Sequence, residues 1–458
     1  MINGQISFWL SGPNSPAPPP TAELSGDVEV DVAIIGGGVT GLWTAWALAQ
    51  REPSWQIAVF EAESLGFGAS GRNGGLLSTK SVGSRKVLAK GMGGRRGVMH
   101  AEKLVEAAMH DVVDILGAES IHAHHGGWLQ VARTPSEMER LYKNLHGQRS
   151  WGVTEASLRL LAPAEVTARI RVDKPLGALY SPDNYAIDPA RMVFELAKTV
   201  MAMGVQVYTH GRATNLGPGR LTVAGHRVTA RSTVIATEGY TVAQSGQRRS
   251  VLPINSAQIV TEPLTDAQWD EIGWDGYESL GGASHTFFYA KRTHDGRIAI
   301  GGRGRPYRFG SGFDTDGVVD QETADDLASV LADVFPQISV TPAHAWCGVL
   351  GVARDWSPFV DYDRSTNTIR VGGYVGQGLA AALVAGHACA DLLVGRDTIY
   401  TQLPWVRPMP RRWEPEPLRW IGATGIYRAY SWADELEKRS SATRTSVLAR
   451  IADKAAQR

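Results

Sequence analysis

Gly36, Gly38 and Gly41 stand in the spacing G-x-G-x-x-G. In that spacing the first glycine permits a tight strand-to-helix turn, the second lets the backbone approach a pyrophosphate, and the third lets helix and strand pack closely. A helix N-terminus at this point offers amide donors and a positive dipole end to phosphates. Glu61 closes the next apolar run, where a carboxylate accepts hydrogen bonds from ribose hydroxyls. The chemistry is that of a dinucleotide site, and the spacing alone does not separate NAD from FAD. A second cluster follows directly. Residues 66–75, Gly-Phe-Gly-Ala-Ser-Gly-Arg-Asn-Gly-Gly, hold five glycines in ten positions, so consecutive amides can wrap a large planar ligand and its phosphates. Arg72 and Asn73 within it point to specific contacts rather than a flexible surface loop.

These residues need a β-α-β unit to hold them. Residues 28–35 form an apolar, β-branched run that reads as a buried strand. Residues 42–50 read as a helix ended by Pro53, and residues 57–60 as a second buried strand. Helical periodicity recurs at 100–116, 135–149 and 321–335, and at 190–203 behind the cap Asp188-Pro189. Residues 205–208, 234–236 and 368–371 read as short strands, with a helix from Gly376. Residues 252–260 and 286–301 alternate as an antiparallel sheet does. The pattern predicts an α/β chain, α+β overall: a Rossmann-type domain assembled from 27–80, 185–245 and 345–400. A mostly antiparallel substrate domain, 81–184 and 246–344, is inserted into it. Residues 1–26 read as an extended N-terminal arm and 401–458 as a Pro/Trp-rich tail packing on the body.

The chain has 458 residues, with 46 basic and 46 acidic side chains, and this balance gives no reason to expect a nucleic acid or an anionic membrane as partner. Two cysteines exclude a disulfide framework and a Cys-rich zinc module. The most apolar stretch, 378–394, carries His387 and Asp391 and is too interrupted for a membrane span. No secretory signal is visible, and a soluble, cytoplasmic protein is expected. His122, His124 and His125 lack carboxylates at ligand spacing and read as a polar strand end; no metal site is predicted.

The ordered motifs make the chain recognisable. Residues 31–38, the 66–75 loop, Tyr180, Ile187-Asp188-Pro189, 234–237 and 372–379 resemble the FAD-dependent amine and amino-acid oxidoreductases of the D-amino-acid oxidase superfamily, over roughly 27–396. The likeness is greatest to proteins of the gamma-glutamylputrescine oxidoreductase type. The resemblance implies that Val39 and Thr40 line the pyrophosphate and that Glu61 and Ala62 hold the adenosine ribose. It implies that Ala69, Ser70, Gly71, Arg72, Asn73, Gly74, Gly75 and Leu76 run along the flavin. Ala213 would touch the adenine, and Ala236 and Thr237 would close over the nucleotide half. Gly376, Gln377, Gly378, Leu379 and Ala380 would sit by the pyrimidine end of the ring, where a helix N-terminus steadies negative charge.

The reaction so implied takes a primary or secondary amine (a polyamine, an amino acid or a related amine). Hydride transfer to flavin N5 leaves an imine that hydrolyses to an aldehyde or keto acid, with oxygen as the acceptor. Alternatives are a flavin monooxygenase, an amine dehydrogenase with another acceptor, and a flavin-binding module that docks through its tail. Substrate-facing candidates are Tyr289, His285, Arg303, Arg354, Trp346 and Tyr374, with Phe288 as a further aromatic wall. Two departures from the oxidase pattern stand out. The strand 297–302 carries no lysine of the kind that sarcosine-oxidase-like relatives use with oxygen. Cys347 is offset by one residue from the position at which such relatives attach flavin, so FAD is expected to bind non-covalently. Gly91, Gly93 and Gly94 read as a mobile loop near the entrance.

Overall fold

The computed structural model describes residues 1–80, 82–302, 307–440 and 442–456. The apolar run Val28–Ile35 lies between two parallel neighbours, Ile57–Phe60 on one side and His226–Ile235 on the other. A strand flanked on both sides and covered on both faces must be apolar at nearly every position. The full eight-stranded sheet runs Gln206–Tyr208, Ile57–Phe60, Val28–Ile35, His226–Ile235, Arg220–Val223, Ala213–Gly217. Thr368–Gly372 also pairs with His226–Ile235, and Phe359–Asp363 pairs with Thr368–Gly372. Two helices, Val39–Arg51 and Gly378–Val394, pack face to face in the same core. They meet at Gly386, where a Cβ would lie 2.8 Å from the Trp43 backbone.

A nine-stranded sheet stands apart from this one. Its order is Ile2–Asn3, Pro342–Val352, Leu252–Thr261, Ile298–Gly301, Tyr289–Arg292, Ser279–Gly282, Trp128–Ala132, Gly177–Ser181, Arg159–Leu161. Pairing is antiparallel except at the Ile2–Asn3 and Ser279–Gly282/Trp128–Ala132 contacts. The helix Gln321–Val334 shares its core cluster. A three-stranded sheet, Leu76–Ser78, Asn184–Ala186 and His124–His125, carries the chain on from the 66–75 loop. Among the described residues no helix is long and apolar enough to cross a membrane.

Three expectations change. The first helix is Val39–Arg51, so it begins directly behind Gly38 and takes Val39, Thr40 and Gly41 into its opening turn. The helix expected from 100 begins at Gly94, with Gly93 at φ +73° before it, so these glycines form a turn and a helix start rather than an open loop. The strand Pro342–Val352 lies wholly in the nine-stranded sheet, and the boundary read at 345 cuts through it. The tail carries no helix or extended strand over 403–417, and beyond it Leu418–Arg439 and Val447–Ala456 are helices that the sequence reading did not place. Their apolar residues occur on both faces, Tyr430 and Ala433 inward, Trp432 and Leu436 outward, so the one-sided stripe that betrays a surface helix is blurred.

Candidate functional site

The three glycine clusters meet along one cavity of about 1240 Å³. At Gly36 (φ +109°) the chain turns so tightly that a Cβ would lie 2.6 Å from the Ala236 carbonyl oxygen. A Cβ on Gly38 would lie 2.7 Å from Ser70 Oγ, and one on Gly41 would strike the Gly36 carbonyl. The turn is therefore closed against both the 236–237 strand end and the 66–75 loop. The Val39 amide donates to Ser70 Oγ at 3.0 Å. The Glu61 carboxylate accepts from the amides of Gly37 (2.8 Å) and Glu63 (3.0 Å), and burial raises its pKa in spite of these bonds. A carboxylate has about four acceptor positions, so Glu61 retains capacity for ribose hydroxyls.

Of the expected cofactor positions, Gly36, Gly38, Val39, Thr40, Glu61, Ala62, Ala69, Ser70, Arg72, Asn73, Gly74, Leu76, Ala213, Ala236, Thr237, Gly376, Gln377, Gly378 and Leu379 line the cavity. Gly41, Gly71, Gly75 and Ala380 lie behind that wall. Gly71 and Gly75 are glycine because of what is packed against them: a Cβ would strike the Gly66 carbonyl at the first, and Ile187 O and Lys291 Nζ at the second.

Arg72 is not a ligand-facing side chain. It is fully buried, and its guanidinium donates to three carbonyls: Phe67 (2.6 Å), Cys347 (3.2 Å) and Thr315 (2.7 Å). Asn73 is likewise turned onto its own loop. It donates to the Ala69 and Ser70 carbonyls and accepts from the Gly75 amide. Both side chains hold the loop in shape so that its backbone edge faces the cavity. The N-terminal arm braces the same loop from behind: Ser7 Oγ donates to Gly71 O (2.7 Å) and Trp9 Nε1 to Asn73 O (2.9 Å).

That arm also explains Trp346, which does not line the cavity. It is buried under Phe8 and Trp9 and donates to Arg72 O at 2.9 Å. Along its strand Gly348, Leu350 and Val352 reach the cavity. Cys347 points to the other face, within hydrogen-bond reach of Val318 O at 3.7 Å, and burial pushes its thiol up to about 11. Phe288 is likewise core, shared with Ala257 and Leu280.

Tyr289, Tyr374, Arg354 and His285 do line the cavity; Arg303 lies outside the described residues. The Tyr289 ring rests on Gly74 and Gly301, where a Cβ would lie 2.6 and 2.7 Å from its nearest ring atom. Its hydroxyl lies 3.4 Å from Ser256 Oγ, and burial pushes it up to about 12. The Tyr374 hydroxyl accepts from Thr40 at 3.4 Å. Arg354 is held by Glu414 (3.0 Å) over the Trp413 ring. His285 is clasped by the tail helix: Asp434 accepts from its backbone amide (2.8 Å), and Glu437 and Arg140 flank its ring at 3.1 and 3.0 Å.

Two features escape the sequence reading. The tail helix Leu418–Arg439 roofs the cavity with Gly422, Ala423, Ile426, Tyr427 and Tyr430. Lys80 also faces the cavity, with Nζ 3.2 Å from the Trp128 ring centroid. Its side chain is exposed to the open cavity, and desolvation by the surrounding walls pushes its ammonium down to about 7. The signal was present: Leu76, Ser78 and Lys80 all reach the cavity, which is the period of two of an extended chain. A second, smaller cavity of about 270 Å³ lies beside the arm, lined among others by Trp9, His122, His124, Asp188 and Lys291. His122 stacks on His294 at 3.9 Å, and burial pushes it down to about 4. Among the described residues no such cluster is arranged to hold a metal ion.

The cradle fits a flavin dinucleotide. Glycines leave room where a Cβ would close the fingerprint turn, a partly satisfied carboxylate ends the second strand, and the cavity runs from Ala213 through to Tyr374. Gamma-glutamylputrescine oxidoreductase of Escherichia coli (strain K12) is 27% identical over 410 residues, covering 86% of this chain and 90% of that protein. The crystal structure of glycine oxidase from Geobacillus kaustophilus superposes with a TM-score of 0.69 at 20% identity, covering 84% of this chain and all of that one. L-proline dehydrogenase from P. horikoshii superposes at 0.67 and 16% identity, with 83% and 98% covered. Residues 31–392 match the family model described as DAO, FAD dependent oxidoreductase, and the chain belongs to that family of FAD-dependent enzymes.

Proposed function

We propose that the enzyme oxidises a primary or secondary amine to an imine, which hydrolyses to an aldehyde or keto acid, with oxygen as the acceptor. We further propose that FAD is held without a covalent bond. The observation that carries the reading is the enclosed, aromatic end of the cavity. Trp128, Tyr289, Tyr374 and Tyr427 wall it beside the loop 66–75, and the tail helix covers it. Relatives named for gamma-glutamylputrescine and for glycine support an amine as the substrate.

FAD, when bound, supplies the two-electron acceptor. The chain supplies the setting. Low-polarity walls favour the neutral form of an amine, the form that can give up a C–H hydrogen with its electron pair. The helix start at Gly378 offers the positive end of its dipole, where it steadies negative charge in the ring. The tail helix keeps bulk water from the reacting carbon. Cys347, turned toward Val318, supports non-covalent attachment.

The test is an anaerobic titration of the purified yellow protein with amines, followed by admission of air. Bleaching by an amine, return of colour in air and an aldehyde or keto acid product are expected. A flavin that no amine bleaches would overturn the amine reading. Acid precipitation tests the attachment separately: colour remaining in the pellet would overturn the non-covalent reading.

A further inference from the structure

We propose that the C-terminal helical hairpin, Leu418–Arg439 and Val447–Ala456, rests on the surface of an anionic lipid bilayer. The contact is peripheral, since among the described residues no helix is long and apolar enough to cross. Docking is separate from the reaction proposed above and concerns where the enzyme works.

The hairpin has an apolar face that the fold leaves uncovered. Its helices run antiparallel: the Ser446 amide donates to Glu437 at 2.8 Å, and the Tyr430 hydroxyl donates to Asp453 at 2.7 Å. Tyr430, Ala433 and Glu437 of the first helix turn inward, as do Ala449 and Ala452 of the second. Ile421, Trp432 and Leu436 lie on the opposite side of the first helix, Val447 and Ile451 on the opposite side of the second, and each of the five is more than half exposed. Ile421, Trp432 and Leu436 are eleven and four residues apart, close to whole numbers of turns of about 3.6 residues, so they form one stripe. A stripe of this extent marks contact with another apolar phase. Tryptophan, leucine and isoleucine on the outer face of a surface helix are suited to the boundary between headgroups and acyl chains.

Charge selects the phase. Residues 401–458 hold 11 basic and 6 acidic side chains, so the even balance of the whole chain hides a basic tail on an acidic body. All six acids are engaged within the fold: Glu414, Asp434 and Glu437 in the contacts given above, Glu416 with Arg419, Glu435 with Arg439 and Asp453 with Tyr430. Arg412, Arg428, Arg444 and Arg450 are exposed and have no side-chain partner among the described residues. An anionic headgroup layer answers these guanidinium groups, and its hydrocarbon edge takes the apolar stripe. A second copy answers only the stripe. Twofold pairing sets one face against itself, so Arg428, Arg444 and Arg450 of one hairpin would meet those of the other with every acid of the hairpin already paired. A nucleic acid would answer the arginines and leave the stripe in water. Because the first helix also roofs the main cavity, docking sets that roof at the bilayer surface.

The test uses the FAD-loaded full chain and vesicles of phosphatidylcholine, alone or mixed with phosphatidylglycerol, separated by flotation. Flavin absorbance reports the bound fraction. Wild type is expected to float with the mixed vesicles, to stay behind with phosphatidylcholine alone, and to be released by added salt. Arg428→Glu combined with Arg450→Glu should weaken partition about tenfold or more. Trp432→Asp combined with Leu436→Asp should weaken it at least as much. Retained yellow colour and an unchanged urea midpoint show that the variants are folded. Vesicles with brominated acyl chains should quench tryptophan fluorescence in wild type and quench it less in Trp432→Phe, a change that leaves the surface charge alone. Absence of flotation with the mixed vesicles overturns the proposal. So does binding that the arginine or tryptophan substitutions leave unchanged, and so does equal binding to phosphatidylcholine alone. A doubled mass on gel filtration that Trp432→Asp returns to a single chain, without flotation, overturns it and assigns the face to a second copy.

Discussion

Lys80 and Lys291 both meet a tryptophan face, but Lys291 is buried and Lys80 is exposed to the open cavity. Each ammonium lies on a tryptophan face, Lys80 at 3.2 Å from the Trp128 centroid and Lys291 at 4.3 Å from that of Trp9, and desolvation pushes each down to about 7. Lys291 also donates to the Ile187 carbonyl and lies in the field of Asp188 and Asp295. Its charge is answered within the fold, behind the 66–75 loop where Gly75 leaves room for it. Lys80, on the cavity side of the same loop region, has an aromatic face and open space. A buried cation that the fold answers is part of the scaffold.

Substitutions that break this contrast fall in a definite order. Arg72 is, like Lys291, an enclosed cation, and the more fully answered of the two. Arg72→Met strands three carbonyl acceptors and should cost about 3–5 kcal/mol, read as a lower urea midpoint and loss of yellow colour on gel filtration. Lys291→Met should come next, at about 2–3 kcal/mol in the same urea experiment, because Ile187 O and Asp188 lose a buried partner. Asp434→Ala removes the acceptor for the His285 and Thr286 amides and for Thr286 Oγ1. It should loosen the tail helix by about 1–2 kcal/mol, measured as faster limited proteolysis between 418 and 439 with the flavin retained.

The same helix has a pH limit. Burial works to raise Glu437, but the hydrogen bond from Arg140 and the amide of Ser446 bring it down to about 2. A folded-state value below the usual 4.5 contributes stability that is complete above 4.5 and lost as pH falls toward 2. Tail proteolysis should therefore accelerate across that window in wild type, and Glu437→Gln should flatten the dependence. The smallest effect is expected at Lys80. Lys80→Met should change stability by no more than about 0.5 kcal/mol in either direction. A loss as large as that of Lys291→Met would erase the contrast between the two lysines.

What the sequence disclosed follows from how local each cause is. Gly36, Gly38 and Gly41 answer to a turn six residues long, so their spacing announces the fingerprint. The same holds for Asp188, whose carboxylate caps Ala190 and Arg191 within its own helix. Arg72 was singled out for the right loop but not for its task, because its partners Thr315 and Cys347 are more than 240 residues away. Trp346 was misread for the same reason: what covers it is Phe8 and Trp9, at the other end of the chain. Lys80 was legible as a step of two beyond Leu76 and Ser78, but a strand of three residues gives too short an alternation to draw attention. His285 gives no hint of Asp434 or Glu437, since a latch across more than 140 residues has no period.

The arm that braces the 66–75 loop has a consequence for assembly in time. Ile2 and Asn3 lie beside His344 and Ala345, and Asn3 bonds across to Val319. At roughly 5–20 residues per second, a ribosome needs on the order of 20–70 s after making the arm to deliver those partners. For that interval Phe8 and Trp9 have nowhere to dock, and the loop they support is without its backing. A chain that is being made therefore holds a half-built cradle, and secure capture of the cofactor belongs to the last stage of its birth.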